Sequence, residues 1–409
     1  MLNIAYISYE YPLKIRGGGI GTYIFQISKA MASLGHKITI FCCGNEEEII
    51  QQDGINIYLI KNSDAFSFKK EVEIIFSTIH QNKKFDIIEC AEYGADALYI
   101  KQKFPDLPLV VKLHAPTYLL KIFNNYFFNY QITPDFKNNN FLEYFKKTYW
   151  LFRKNNLKKN IFKYNKELDE EYKIVILADY LTSPSKKLAC IIKNDWKIKS
   201  KINIIPNIYE PSEQYLIQKE PNQFKTFIFI GKLMILKGVL DLCKAIPLIL
   251  KKHPDTKFIF VGTALNSPLN EVSMDNYMRS ELKNNLQNIV FTGMVSLDKI
   301  PILLKQADAL IIPSLWENFA TVCLEAMSAG KLVIGTKTGG IPEIIGKDCG
   351  LLAKYKNYKN LAKKINYAIE NPQKMQILAK NGRNKIINSY SQQKISLKME
   401  EIYLSNLNS

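Results

Sequence analysis

Residues 314–330 read Ser-Leu-Trp-Glu-Asn-Phe-Ala-Thr-Val-Cys-Leu-Glu-Ala-Met-Ser-Ala-Gly and hold two carboxylates, Glu317 and Glu325, eight positions apart. The apolar run 307–312 reads as a buried strand, 313–318 as the loop at its carboxyl end, and 322–329 as a short helix closed by Gly330. In an open α/β sheet, ligands bind at the carboxyl ends of the strands, which puts Glu317 over a ligand and Glu325 along its side. Between them, backbone N–H groups around Ala320 to Val322 start a helix and favour an anion such as a diphosphate. Paired Glu residues on a helix are more often merely solvated. Here a second loop follows: Leu332-Val-Ile-Gly leads into Thr336-Lys-Thr-Gly-Gly-Ile-Pro-Glu343, where Gly339 and Gly340 permit close backbone approach. Two adjoining carboxyl-end loops of this kind describe a site.

Three further loops have the same strand-to-helix placement. Lys14-Ile-Arg-Gly-Gly-Gly-Ile-Gly-Thr-Tyr23 follows the first strand, as phosphate-cradling loops do. It is not a dinucleotide fingerprint: a GxGxxG beginning at Gly19 meets Ile24, and one beginning at Gly17 ends on Thr22. No GxxxxGK[ST] occurs, so a nicotinamide-dependent dehydrogenase and P-loop chemistry both lack their main support. In Phe229-Ile-Gly-Lys-Leu-Met-Ile-Leu-Lys-Gly238, Lys232 and Lys237 stand just past a strand and are suited to neutralising a departing diphosphate. His114 closes the run Leu109-Val-Val-Lys-Leu-His. A lone His there is more often packed than catalytic.

The elements that must position these residues alternate. Strand-like runs at 4–8, 37–42, 55–60, 85–90, 109–114, 180–184 and 202–205 are separated by helical patterns. The rhythm pauses over the polar stretch 209–224 and restarts with runs at 226–231, 257–262, 289–292, 309–313 and 332–335. Such alternation implies parallel sheets covered on both faces, and 409 residues exceed one core, so two doubly wound α/β domains are expected. The segment 118–166 breaks the rhythm with fifteen aromatics and ten Lys/Arg against Asp135 and Glu143. It reads equally as an anionic-membrane contact or as a solvated basic surface over a satellite aromatic cluster.

Composition bounds the rest. Seven Cys residues without CxxC spacing fit buried thiols in a reducing, cytoplasmic setting, and four scattered His residues and the absence of an Asp-x-Asp pair argue against a metal. No apolar run approaches the ~20 residues that span a bilayer, and the amino terminus enters a strand without a signal pattern. A net charge of +17 favours polyanionic partners without choosing among them.

In order and spacing, Gly17-Gly18-Gly19, His114, Ser183-Pro-Ser185, Ile205-Pro-Asn207, Gly231 through Lys237-Gly238, Glu317 with Glu325, and Gly339-Gly340 with Glu343 resemble the retaining glycosyltransferase family 4. The resemblance implies a GT-B fold, with an acceptor-side domain over 1–212, a nucleotide-sugar domain over 222–387 and a terminal helix over 388–409 packing back on the first. It implies that Glu325 bonds the donor ribose, Glu317 the donor sugar, and Lys232 with Lys237 the diphosphate. Gly231 lines that loop, Phe319, Ala320 and Thr321 offer backbone N–H groups, Gly18 and Gly19 close over the phosphates, and His114 touches the transferred sugar. Lys232 stands where members commonly carry Arg, and Asn318 and Ala320 replace common glycine or proline. The implied function is retaining hexosyl transfer from a nucleoside-diphosphate sugar, without cofactor or metal, to a glycan or lipid-linked acceptor. Cell-surface polysaccharide or glycolipid synthesis at the inner membrane face is the expected setting, with no nucleic-acid partner. The alternative is a basic nucleic-acid-binding or scaffold protein with a non-catalytic nucleotide-sugar site.

Overall fold

The computed structural model describes residues 1–12, 18–61, 64–123, 164–217, 221–269 and 271–405. Gly17 and all of the basic aromatic segment except its two ends lie outside the described residues.

Eight strands form the first sheet: β1 (Asn3–Ser8), β2 (Lys37–Gly44), β3 (Glu48–Gln52), β4 (Ile55–Lys61), β5 (Ile87–Ala91), β6 (Leu109–Lys112), β7 (Tyr180–Ser183) and β8 (Ile202–Ile204), in the order β3-β4-β2-β1-β5-β6-β7-β8. All pair in parallel except β3, which runs antiparallel to β4 at the edge. The second sheet is parallel throughout. It contains β9 (Thr226–Ile230), β10 (Lys257–Val261), β11 (Ile289–Gly293), β12 (Ala309–Ile312), β13 (Leu332–Thr336) and β14 (Leu351–Ala353), in the order β11-β10-β9-β12-β13-β14.

Successive strand residues point to opposite faces, so an unbroken apolar strand must be covered twice. In the first sheet Ala5, Ile7, Phe41 and Ile88 feed one core while Ile4, Tyr6, Ile40 and Ile87 feed another. In the second, Phe227, Phe229 and Phe260 pack on one side and Ile228, Leu310 and Val333 on the other. Each such buried side chain is worth roughly 1.5–3 kcal/mol, which is what fixes helices to both faces. Among the described residues, no helix is long and apolar enough to cross a membrane.

The chain passes between the two units twice, and the passes lie side by side. Tyr209 N–H donates to Tyr390 O at 3.1 Å, and Gln392 N–H to Glu210 Oε2 at 3.2 Å. The last helix, Gln392–Ser405, then lies on the helix Gly19–Ser33 and puts Ile395, Met399 and Tyr403 into the core of the first unit. His36 ties it down: its Nδ1 accepts Leu2 N–H at 3.1 Å, which leaves Nε2 to donate to Glu400 Oε1 at 2.8 Å.

Beneath this helix lies a buried carboxyl group. Glu89 on β5 is fully buried, accepts the Tyr23 hydroxyl at 2.5 Å and a second hydroxyl from Tyr403, and Tyr403 in turn bonds Tyr6 at 3.1 Å. Burial raises its pKa, against those hydroxyl bonds and the nearby Lys112 charge, which hold it down. Lys112 is equally buried, lies 4.5 Å from the Tyr23 ring centre and donates to Ile205 O at 2.8 Å; burial takes its ammonium down to about 8. A buried carboxyl group stripped of a donor loses about 1–3 kcal/mol. Tyr403→Phe should therefore lower the free energy of unfolding by that amount, read as a lower urea midpoint with an unchanged slope, while Leu397→Ala on the exposed face of the same helix should stay within about 0.5 kcal/mol.

Candidate active site

Every loop singled out from the sequence leaves the carboxyl end of a parallel strand: Gly18 and Gly19 after β1, His114 after β6, Lys232 after β9, Glu317 after β12 and Gly339 after β13. The loop after β12 is held by the one after β13. Thr336 Oγ1 donates to Ser314 O at 2.5 Å, Thr338 Oγ1 to Leu315 O at 2.9 Å, and Gly340 N–H to Glu317 O at 2.9 Å. Gly339 has φ +51°, and a Cβ there would lie 1.8 Å from Glu317 O; one on Gly340 would lie 2.1 Å from Asn318 O. What these glycines approach closely is thus the backbone of the Glu317 loop itself.

Glu317 and Lys237 form an ion pair, both partly buried. Lys237 is delivered by a short 3₁₀ turn that ends at Gly238, whose left-handed φ of +71° turns the chain into the helix Val239–Leu250. Pro313 O lies 1.9 Å from where a Gly238 Cβ would stand, so this turn is wedged against the end of β12. The structure brings the sequence-read cation and the first carboxylate into direct contact, each neutralising the other. Lys232 is exposed, and Gly231 extends β9 through its N–H bond to Val261 O at 2.9 Å.

Glu325 lies on the helix Thr321–Ser328, one residue earlier in onset and end than the sequence pattern indicates. Ala320 at the N-cap has no polar side chain, so that helix start is uncapped by any side chain, and Phe319 leans on Tyr390 with ring centres 6.1 Å apart. Burial pushes the Glu325 carboxyl up to about 7. Its charge in turn acts on Tyr209 and Tyr215, which the linker places alongside.

His114 is half-buried, with its ring 5.5 Å from that of Tyr23 and its Nε2 shielded from solvent without a hydrogen-bond partner. Burial, with the Lys112 charge adding, holds its pKa down to about 3, so the ring is neutral at physiological pH. Two residues that sequence reasoning missed support this wall. Glu92, just past β5, accepts His114 N–H at 2.6 Å and Ala115 N–H at 2.7 Å, and it holds Ala115 at a strained φ of +131°. Burial takes the Glu92 carboxyl up to about 8. Glu10 does the corresponding work at the glycine loop: its Oε2 accepts Gly18 N–H at 3.0 Å and Gly21 N–H at 3.4 Å, and so sits on the helix start expected to meet a phosphate. A carboxylate directly after an apolar strand, as Glu92 is, was the available signal; Glu10 had none.

A family model described as Glycosyltransferase Family 4 matches residues 17–213, and one described as Glycosyl transferases group 1 matches residues 213–385. An uncharacterized glycosyltransferase of Methanocaldococcus jannaschii is 24% identical over 98% of both chains. Among solved structures, the sucrose-phosphate synthase of Thermosynechococcus elongatus superposes with a TM-score of 0.73 at 19% identity over 100% of both chains. Anabaena HepE, solved in complex with UDP and glucose, superposes with a TM-score of 0.67 at 17% identity over 99% of this chain and 100% of that one. These likenesses make the two-sheet architecture a GT-B fold and set aside the reading of a non-catalytic scaffold. With the two models meeting at the linker and together running from residue 17 to residue 385, the chain belongs to glycosyltransferase family 4 and is a sugar-transferring enzyme.

Proposed function

We propose that this enzyme moves a hexosyl unit from a nucleoside-diphosphate sugar to a glycan or lipid-linked acceptor and keeps the anomeric configuration. The observation that carries the reading is the placement of Glu317, paired with Lys237, at the uncapped start of the helix that bears Glu325. Glu325 accepts ribose hydroxyls and Glu317 orients the donor sugar. Lys237, Lys232 and the backbone N–H groups of Phe319 to Thr321 neutralise the diphosphate, as the helix start favours an anion. Gly18 and Gly19 approach it from the other unit, with Glu10 yielding its place on their N–H groups. UDP and glucose bound to the HepE relative support the donor class.

In the transfer the bond from the anomeric carbon to the diphosphate oxygen breaks, and its electron pair leaves with the diphosphate. The acceptor oxygen bonds to the same face, and its proton passes to the departing phosphate. Stabilising the charge that develops on the leaving group lowers the barrier without cofactor or metal. Inversion would need a base on the opposite face with a pKa near the working pH. His114, held down to about 3, is a poor one and instead contacts the sugar as a neutral ring. The basic, aromatic composition of 118–166 supports a lipid-linked acceptor in surface polysaccharide or glycolipid synthesis at a cytoplasmic membrane face.

Proton NMR of the first-formed glycoside is the deciding measurement. The donor's anomeric signal should be kept, and an inverted one appearing before mutarotation would refute the mechanism. A second expectation follows from Glu325. Its folded pKa of about 7 lies above the ordinary ~4.3, so its contribution to stability is present below ~4.3 and lost as pH rises through about 7. Ribose hydroxyls prefer the ionised form. Donor affinity measured calorimetrically should therefore rise between about pH 6 and about pH 8 and flatten in Glu325→Gln. The same rise in the variant would remove Glu325 from the ribose.

A further inference from the structure

Four loops from the two units meet beside Glu317, and two side chains of the carboxyl-terminal unit are satisfied there by the amino-terminal one. Asn318 Nδ2 donates to His114 O at 2.8 Å, and Ser185 Oγ donates to Asn318 Oδ1 at 2.9 Å. Because a carbonyl only accepts, His114 O fixes which end of the carboxamide faces it. Ser185 is also the N-cap of the helix Lys186–Asp195, with its Oγ accepting Leu188 N–H at 3.2 Å. The next two N–H groups of that helix, those of Lys186 and Lys187, donate to the two carboxylate oxygens of Glu343 at 3.0 and 3.1 Å. A helix of one unit is therefore capped by a carboxylate of the other, where the N-terminal end of the helix dipole favours negative charge. Beside them Trp316 is buried in the core of the amino-terminal unit and stacks on Phe123 with ring centres 4.5 Å apart.

We propose that Asn318 and Glu343 form a clasp that fixes the closed arrangement of the two units and, through the peptide bond joining Asn318 to Glu317, sets where Glu317 stands. Both are positioning residues. The loop carrying Glu317 is joined at its next residue to the backbone of His114, so the wall that meets the sugar and the carboxylate that orients it move as one. Only this consequence for transfer rests on the proposed function; the clasp itself does not.

The test is an interdomain distance. Cys190 on the helix Lys186–Asp195 is exposed, and Leu297 in the other unit is 85% exposed. In a Cys349→Ser, Leu297→Cys background, spin labels at positions 190 and 297 report closure by pulsed electron resonance without any substrate. The parent should give one distance. Asn318→Asp sets a carboxylate oxygen against a carbonyl, and Asn318→Ala with Glu343→Ala removes the clasp; each should move at least roughly tenfold more of the population to longer distances. Glu343→Gln keeps one acceptor oxygen, loses the charge and the second acceptor, and should fall between. If the double variant does not fold, Asn318→Asp and Glu343→Gln still decide the matter: distributions identical to the parent in folded protein overturn the clasp. With a donor that the parent uses, Asn318→Asp should lower kcat roughly tenfold or more with little change in donor KM. Opened units with unimpaired kcat overturn the positioning role. A parent that transfers from no nucleoside-diphosphate sugar overturns the proposed function instead, and the distance measurement still reads the clasp.

Discussion

The closest approach in the molecule that matters to function is between two pieces of its own backbone. Positions 339 and 340 lie so near the carbonyls of Glu317 and Asn318 that neither can carry a Cβ without displacing them. Threonine hydroxyls on the same loop then hold the carbonyls of Ser314 and Leu315. The sugar-orienting role proposed for Glu317 needs a rigid mount, since small displacements of reacting groups lower rates steeply. This chain builds that mount from a neighbouring strand's loop. The pocket wall and the clasp to the other unit inherit their positions from it.

Several charges of the site are matched by partners within the chain. Lys237 rests on Glu317, Glu10 rests on the N–H groups after the first strand, and Glu92 is spent on the backbone of His114 and Ala115. Lys237, Glu317 and the Gly18 N–H thus already have counterparts, whereas Lys232 is exposed and the helix start at Ala320 carries no side-chain cap. Desolvation sets the remaining groups: Glu325 is brought close to neutrality in pH terms, while His114 is kept uncharged.

Much of the fold was legible because it rests on strands buried on both faces, and a run such as Ile4 to Ser8 has no other stable use. The exceptions share a cause. The strand at Glu48–Gln52 is an antiparallel edge with a polar sequence, and the one at Leu351–Ala353 is three residues long, so neither shows the double burial that the pattern detects. At the site, residue type and strand-end position pointed to Glu317, Glu325, Lys237 and His114. Sequence could not show that Lys237 would meet Glu317 across 80 positions, or that Asn318 would reach the His114 carbonyl across 204. Those contacts depend on how two units face one another, which no local period encodes. The glycine pair was read as a place of close backbone approach, and the structure shows that what it approaches is the Glu317 loop.

The last helix has a consequence for the order in which the chain matures. Tyr403 supplies a hydroxyl to Glu89, and Ile395 and Met399 fill the core beside Ile4, yet some 300 residues separate Glu89 from Tyr403. During synthesis, which proceeds at about 5–20 residues per second, the first unit emerges long before the helix that finishes it. Until then its interior carboxyl group keeps the Tyr23 hydroxyl but lacks its second donor, and an apolar face of the helix Gly19–Ser33 is bare. The second unit, whose core is contiguous in sequence, has no such wait. The half that is made first is thus completed last, and a nascent chain arrested before its final residues holds a finished second unit joined to an unfinished first.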